Sequence, residues 1–369
     1  MMDRLTYAGA GVDYGALDPF KRLAQAAGRA TAPALARFGA AEVEWSRGES
    51  AYLIETPEAF LAHVEEGLGT KNLVADAMYR ANGGTRSYYD HLAQDTVAMI
   101  VNDMITLGAL PLSVAMHLGT GSSDWFRDEG RAADLVRGWK RACELARCAW
   151  GGGETPALTG VVERDAVVLA GSSIGIVKPK SRLIRGDIAS GDAIVVFESS
   201  GIHANGLTLA RAVAERVPGG FLAPLSDGRA YGEALLDPTH IYVGVVEDCL
   251  TRGVAIHYAV NITGHGWRKL MRAQAPFAYV IERLPALHPV FEFIQAHGNI
   301  TDAEAFGNLN MGAGFAIFVP AGDVKTVLEV AANFPFRAMV AGHIEPASSK
   351  RVVIKPKELE FASDTLAVR

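Results

Sequence analysis

The stretch KPKSRLIRGDIASGD at 178–192 sets the first constraint on this chain. It is polar and rich in turn-forming residues, yet it falls between two apolar runs, DAVVLAGSSIGIV before it and AIVVFES after it. Such a segment separates cores instead of filling one. A chain of 369 residues also exceeds what one hydrophobic core usually supports. The expected organisation is a domain at 1–178, a second at 179–355 and a loosely held tail at 356–369. With 49% hydrophobic residues the chain can bury two cores. No short-period repeat or low-complexity tract is present.

Both halves mix strands and helices. LDPFKRLAQAAGRA opens on Asp18 as an N-cap with Pro19 at the first helical position. Residues 42–66 predict two or three strands. Residues 88–108 carry Leu92, Val97, Ile100, Val101, Met104, Ile105 and Leu107 at helical spacing. A strand at 112–119, a long helix over 124–150, a tight loop at GGGETP and a strand at 165–177 complete the first half. The second half predicts a strand at 193–199, helices around 207–216 and 238–252, and a strand at 277–284. A helix at 288–298, a strand after NMGAG, a helix at 322–334 and two closing strands follow. The elements do not alternate strictly, so each half reads as α+β.

A net charge of −6 and a pI near 6.0 offer no attraction to nucleic acid or an anionic membrane. No stretch reaches the ~20 apolar residues of a membrane span, and the N-terminus lacks a signal-peptide core. Cys143, Cys148 and Cys249 are odd in number and lack CxxC spacing, which indicates neither a disulfide framework nor a zinc site. The expected setting is the cytoplasm.

Five glycine-rich clusters punctuate the elements: EGLGTK (66–71), GGGET (151–155), GIHANG (201–206), TGHG (263–266) and NMGAG (310–314). Glycine lets backbone N–H groups approach an anion, and a helix start adds a favourable dipole. Several such loops point to a phosphate-rich ligand, whereas any one alone usually serves its turn. EGLGTK lacks the Walker spacing, which argues against a P-loop kinase. Lys71 is either a phosphate-neutralising charge or an ordinary solvated lysine. Asp95 and Asn102 are seven residues apart and share a helix face, with Asp103 at its edge. They form a magnesium-binding wall or a solvated polar stripe. Glu154 is a further ligand or a loop carboxylate. His203 either serves phosphoryl or proton transfer or is bonded within its own turn, and Asn205 could simply favour a left-handed backbone.

In their order, DTVAMIVNDMITLGALPL, GGGET, SSGIHANGLTLAR, LLDPTHIYV, NITGHG and NMGAGFAIFVP make the chain resemble the aminoimidazole ribonucleotide synthetase (phosphoribosylformylglycinamidine cyclo-ligase) family of the PurM-like superfamily. The resemblance spans nearly the whole chain. It implies a two-domain α+β fold, with an N-terminal dimerising α/β domain, a C-terminal α+β domain and a homodimer. The implied chemistry is ATP- and Mg²⁺-dependent ring closure of formylglycinamidine ribonucleotide, a small nucleotide substrate.

Carried over by position, the family's D-G-V-G-T-K is Glu66-Gly67-Leu68-Gly69-Thr70-Lys71, with Lys71 facing phosphate. Glu66, Asp95, Asp103 and Glu154 take metal roles. Gly69, Thr70, Asn102, Gly152, Gly153, Thr155, Gly201, Gly206, Thr263 and Gly264 take nucleotide or substrate roles. His203 and Asn205 contact the reacting groups. The family's T-G-G-G reads Thr263-Gly264-His265-Gly266, placing a side chain where a glycine is usual, and residues 79–93 also depart from the pattern. Other enzymes of the superfamily, resembling thiamine-monophosphate kinase or selenophosphate synthetase, a paralogue with another small substrate, and a catalytically silent nucleotide-binding protein are the alternatives.

Overall fold

The computed structural model describes Leu5, Gly9 and residues 14–366. The first domain is built on strands β1 (Ala41–Glu42), β2 (Tyr52–Glu55), β3 (Phe60–Gly67), β4 (Leu110–Thr120), β5 (Ala149–Glu154) and β6 (Val167–Val177). They form one sheet in the order β1-β2-β3-β6-β4-β5. All neighbours are antiparallel except β4 and β5, which the helical crossover between them makes parallel. In β3 the residues Phe60, Ala62 and Val64 are buried while Leu61, His63 and Glu65 are exposed, the two-residue period of a sheet covered on one face.

The helices of this domain are α1 (Tyr14–Thr31), α2 (Lys71–Ala81), α3 (Tyr89–Met104) and α4 (Glu129–Leu145), of which α3 lies on β3 and β6 and against α4. Gly138 makes that packing possible, since a Cβ there would stand 2.3 Å from the Asp90 carbonyl oxygen.

The second domain adds β7 (Ala193–Glu198), β8 (Tyr258–Asn261), β9 (Phe277–Ile281), β10 (Ala313–Val319), β11 (Ala338–Pro346), β12 (Arg351–Ile354) and β13 (Leu359–Ala362). Their order is β13-β12-β9-β11-β7-β10-β8. Helices α5 (Leu207–Ala214), α6 (Tyr231–Leu235), α7 (Val243–Thr251), α8 (Pro289–Gly298), α9 (Asp302–Asn308) and α10 (Val324–Ala331) accompany it. β7 and β10 are apolar and buried almost throughout, as central strands require.

Several expectations are corrected. α1 begins at Tyr14, so Asp18 is not its cap and Pro19 lies inside it, removing one backbone donor. The long helix over 124–150 divides into a short 3₁₀ turn, α4 capped by the Asp128 side chain, and β5. GGGE is therefore strand, not loop: its backbone pairs with β4 despite the glycines. Within the expected tail, Leu359–Ala362 form β13, which pairs antiparallel to β12. Residues 238–242 form no regular element, and α7 starts only at Val243. α2, α6, α9 and β8 had no counterpart in the sequence reading.

The polar stripe of α3 fastens the two domains. Asp95 Oδ1 accepts hydrogen bonds from the Thr239 N–H at 2.8 Å and from the Thr239 hydroxyl. Gln94 donates to the Thr239 carbonyl at 2.8 Å. Two turns on, Asn102 donates to the His240 carbonyl at 2.8 Å and accepts from the Tyr242 N–H at 2.9 Å, imitating a strand partner. Lys71, at the start of α2, completes the clasp. Its Nζ is 2.8 Å from Asp95 Oδ2 and donates to the carbonyls of His203 and Asp237, each at 2.9 Å. Both side chains of the ion pair are 0% exposed.

Asp95 and Asn102 thus hold backbone in this structure, and Lys71 has its three donors engaged within the protein; buried as they are, a solvated stripe does not describe them. A buried charge deprived of its partner is costly. Lys71→Met is expected to lower unfolding stability by about 3–5 kcal/mol, measured by urea denaturation, and adding Asp95→Asn is expected to recover part of the loss. A single variant as stable as the parent would contradict the clasp.

Candidate active site

Glu66 continues the inward-facing set of β3 beyond Val64, so it turns from the sheet toward the last turn of α3, where Asp103 sits. Both line a cavity of about 210 Å³ between the domains. Lys21 and Met99 complete the first domain's side; Asn205, Asn261, Thr263, Gly264, His265 and Lys269 form the other.

Asn261, the last residue of β8, donates to Asp103 Oδ1 at 2.7 Å. Lys269 donates to the Thr263 hydroxyl and, at 3.3 Å, to the Asn261 carbonyl. A 3₁₀ turn beginning at Gly266 brings Lys269 back over its own loop. His265 adopts φ +68°, a left-handed conformation that glycine takes freely and histidine takes at a cost.

Burial raises the Glu66 carboxyl from 4.5 to about 7, and the like charge of Asp103 adds to this against Lys269, the Gly67 N–H and Arg272. Burial lowers the Lys269 ammonium, opposed by Asp103 and Glu66. His265 is pushed down to about 4, first by burial and then by Arg268, Lys269, Lys21 and Arg272, which keeps it neutral at pH 7. Two crowded carboxylates beside polar amides suit a divalent cation brought in on a substrate's phosphates. Glu66 and Asp103 fit Mg²⁺ in that sense, while Lys269 supplies fixed positive charge for an anion.

The remaining expected site residues are dispersed. Glu154 pairs in register with His117, one position beyond the inward-facing Met116, and so lies on the open face of the sheet. Three strand spacings, about 14 Å, separate β5 from β3 in the sheet. Glu154 does not join Glu66 and Asp103 within one chain. Gly152, Gly153 and Thr155 are exposed with it.

Gly69 is exposed, and the Thr70 hydroxyl lies 3.3 Å from that of Thr208, tying EGLGTK to the start of α5. In GIHANG only Asn205 reaches the cavity. The Gly201 carbonyl accepts from Asn310 at 2.9 Å, and Gly206 precedes α5 with φ +89°. The buried His203 ring accepts from the Ser200 N–H at 3.1 Å and stands 6.1 Å from the His240 ring. Burial, His240, Lys71 and His288 hold it neutral. Gly314 admits this packing, because a Cβ there would lie 2.6 Å from the His203 ring and 2.0 Å from the Tyr242 hydroxyl. His203 therefore has a structural contact set in this structure, whereas Lys269, Asn261 and Lys21 are the cavity residues the sequence reading missed. The signal available for Lys269 was a turn opening directly after TGHG.

Comparison with known proteins decides the family. The family model for the AIR synthase related protein N-terminal domain matches residues 48–177, and that for the C-terminal domain matches residues 189–355. A phosphoribosylformylglycinamidine cyclo-ligase of Carboxydothermus hydrogenoformans is 32% identical, over 96% of this chain and 99% of the relative. The chain belongs to the AIR synthase family.

Cyclo-ligases of Nitrosococcus oceani (33% identical, 94% and 93% covered) and Methanocaldococcus jannaschii (34%, 79% and 80%) are similar as well. Among solved structures, the HypE–HypF complex matches with a TM-score of 0.57 at 16% identity, over 86% of this chain and 93% of that one. AaThiL complexed with AMPPCP and TMP matches at 0.53 and 14%, over 83% and 87%. These likenesses show the family's PurM-like two-domain α+β fold.

Because the folded pKa of Glu66 exceeds its unfolded one, this group's contribution to stability is intact below about pH 4.5 and is lost as pH rises toward 7. In metal-free buffer, Glu66→Gln is expected to flatten the stability profile between pH 5 and 7, roughly the interval between the two pKa values. Denaturant midpoints measured across that range check this; an unchanged slope would place Glu66 in a more solvated setting.

Proposed function

We propose that the chain catalyses ATP-dependent closure of formylglycinamidine ribonucleotide to aminoimidazole ribonucleotide, releasing ADP and phosphate. The observation that carries this reading is the convergence of Glu66 and Asp103 with Lys269, Asn205 and Asn261 in one cavity between the domains, in a chain similar along its full length to cyclo-ligases. In the reaction the formyl amide oxygen takes the γ-phosphoryl group, an internal nitrogen attacks the activated carbon, and the oxygen departs as phosphate. Such transfer depends on positioning and on neutralising charge.

ATP and Mg²⁺ are the proposed cofactors. Glu66 and Asp103 would hold the ion, which when bound would neutralise phosphate charge. Lys269 pairs with a phosphate oxygen, Asn205 and Asn261 orient the amide, and Thr263 and Gly264 border the substrate. A cytoplasmic setting goes with this reading, in keeping with three free cysteines; among the described residues no helix is long and apolar enough to cross a membrane.

A second reading, an ATP-dependent paralogue acting on another small substrate, is favoured by His265. Its ring occupies a cavity whose 210 Å³ falls below the ~300 Å³ usual for small-molecule sites. Purified protein mixed with ATP, Mg²⁺ and formylglycinamidine ribonucleotide is expected to yield ADP and the aminoimidazole product, with Asp103→Asn slowing turnover about 100-fold. ADP release without the aminoimidazole would select the paralogue. Full activity of Asp103→Asn would remove the cavity from the mechanism.

The homodimer is proposed on the open face of the first sheet. Leu61 and Ile174 are 41% and 56% exposed there, with Val168 also open to solvent. An apolar sheet face of this kind seeks a cover, and a two-fold axis lets identical faces cover each other. Sedimentation is expected to give a dimer that Ile174→Glu converts to monomer; a monomeric parent at micromolar concentration would refute it.

A further inference from the structure

α4 ends on two cysteines, and each has a defined place in its terminal turn. The Cys148 N–H donates to the Cys143 carbonyl at 3.0 Å, and the Arg147 N–H donates to the Glu144 carbonyl at 3.1 Å. Those two bonds close a Schellman motif whose left-handed residue is Arg147, at φ +55°. Glycine is the usual occupant of that position. Arg147 is instead held by ion pairs to the second domain, its Nη1 2.7 Å from Glu247 Oε2 and 2.7 Å from Asp248 Oδ1, both on α7.

The motif brings its first and sixth residues together, normally in an apolar contact. Here they are Cys143 and Cys148. A carbonyl oxygen lies about 2.4 Å from its own Cα and an amide nitrogen about 1.5 Å from its own, so the 3.0 Å bond leaves the two Cα atoms at most about 7 Å apart. A disulfide spans Cα separations of about 4.4–6.8 Å. The thiols themselves meet, with Cys143 donating to the Cys148 sulfur. Both are free thiols, as is the third, Cys249.

The two sulfurs differ in access. Cys143 is 4% exposed, whereas Cys148 lies beyond the helix end and is only half-buried. The hydrogen bond from Cys143 lowers the Cys148 thiol against the opposing effect of burial, while the same bond, and then burial, raises Cys143. The thiolate is the nucleophile in thiol oxidation. A more accessible, more acidic sulfur with a protonated one against it is the arrangement of an attacking thiol and its resolving partner. A purely apolar contact would need neither the difference in exposure nor the hydrogen bond.

We propose that Cys143 and Cys148 form a dithiol that hydrogen peroxide oxidises to a disulfide, joining the end of α4 to the start of β5. The Cys148 thiolate attacks one peroxide oxygen, the O–O bond breaks, and the departing hydroxide takes up the proton that Cys148 released, leaving a sulfenic acid. The Cys143 sulfur then displaces the sulfenic hydroxyl, which leaves as water with the Cys143 proton. The two thiols give up two electrons, and one peroxide becomes two waters. The bridge closes around Arg147 and holds it left-handed, with its ion pairs to α7.

Treating the reduced full chain with one equivalent of hydrogen peroxide tests this. Titratable thiols are expected to fall from three to one, with an intact mass lighter by two hydrogens, and dithiothreitol is expected to restore both. Trypsin cuts after Arg141 and after Arg147, between the two cysteines. The peptide 142–147 therefore stays joined to the one beginning at Cys148 only when the bridge exists. The bridged chain is expected to melt about 2 °C higher. Cys143→Ser is expected to accumulate a sulfenic acid on Cys148 that a 1,3-diketone traps, and Cys148→Ser to react with peroxide at least about tenfold more slowly. Cys249→Ser is expected to behave as the parent. The proposal is overturned if three thiols persist after peroxide, if the joined peptides include Cys249, if the bridged chain melts no higher, or if Cys148→Ser reacts as fast as the parent. The first three outcomes are read on the parent itself and decide even where a variant does not fold.

Discussion

The relation between the two domains rests on one buried ion pair. Lys71 and Asp95 belong to the first domain, but every other group they hold belongs to the second: the carbonyls of His203 and Asp237 and both donors of Thr239. Removing two charges from water is costly, and well-packed apolar side chains often stabilise as much. What apolar packing lacks is direction. A lysine with three donors and a carboxylate with fixed lone pairs accept one placement of the 236–242 segment, and Asn102 repeats that restriction two helical turns along. The cavity of Glu66 and Asp103 is lined from both domains, so its geometry depends on this registration.

Within the cavity the same economy of charge recurs in reverse. Glu66 and Asp103 are crowded without a matched salt bridge, and burial first, then the like charge of Asp103, raises the proton affinity of Glu66. Lys269 and Asn261 moderate that repulsion, one by charge and one by donating to Asp103. Stored repulsion of this kind is released when positive charge arrives, which is why such a pair favours a dication or a cationic centre. The buried pair of the clasp is already satisfied and has no such capacity. Position in the same carboxylate-bearing helix therefore does not imply the same task.

The sequence made the large elements legible where one face repeats at a fixed period. α3 follows from its apolar spacing, and β7 and β10 from unbroken apolar runs. It failed where pairing decides structure. GGGE has no side chains to signal a strand, and only its parallel register with β4 makes it one. β13 is short and depends on β12. In the site, Glu66, Asp103, Asn205, Thr263 and Gly264 were found because glycine loops and a helix edge mark them. Lys71, Asp95 and His203 were equally conspicuous as charges or titratable groups, yet their contacts are interdomain and internal. Which of two buried carboxylates on α3 meets a lysine, and which meets a cavity, depends on long-range packing that spacing does not encode. Lys269 escaped because a lysine in a basic stretch such as WRKLMR carries no sign of the loop it folds back upon.

β5 ends on a further consequence of the sheet. It is an edge strand, all its residues are exposed, and among the described residues no strand pairs with its outer backbone edge. Edges of that kind are normally covered, blunted or charged. Glu154 puts a carboxylate at the end of this edge, on the face that also carries Leu61 and Ile174. In the proposed homodimer that face is covered by a second copy, so what Glu154 meets is decided by the partner's surface. Its distance from Glu66 within a single chain then reflects the place of β5 in the sheet order, and the residue belongs with the open face instead of with the cavity of Glu66 and Asp103.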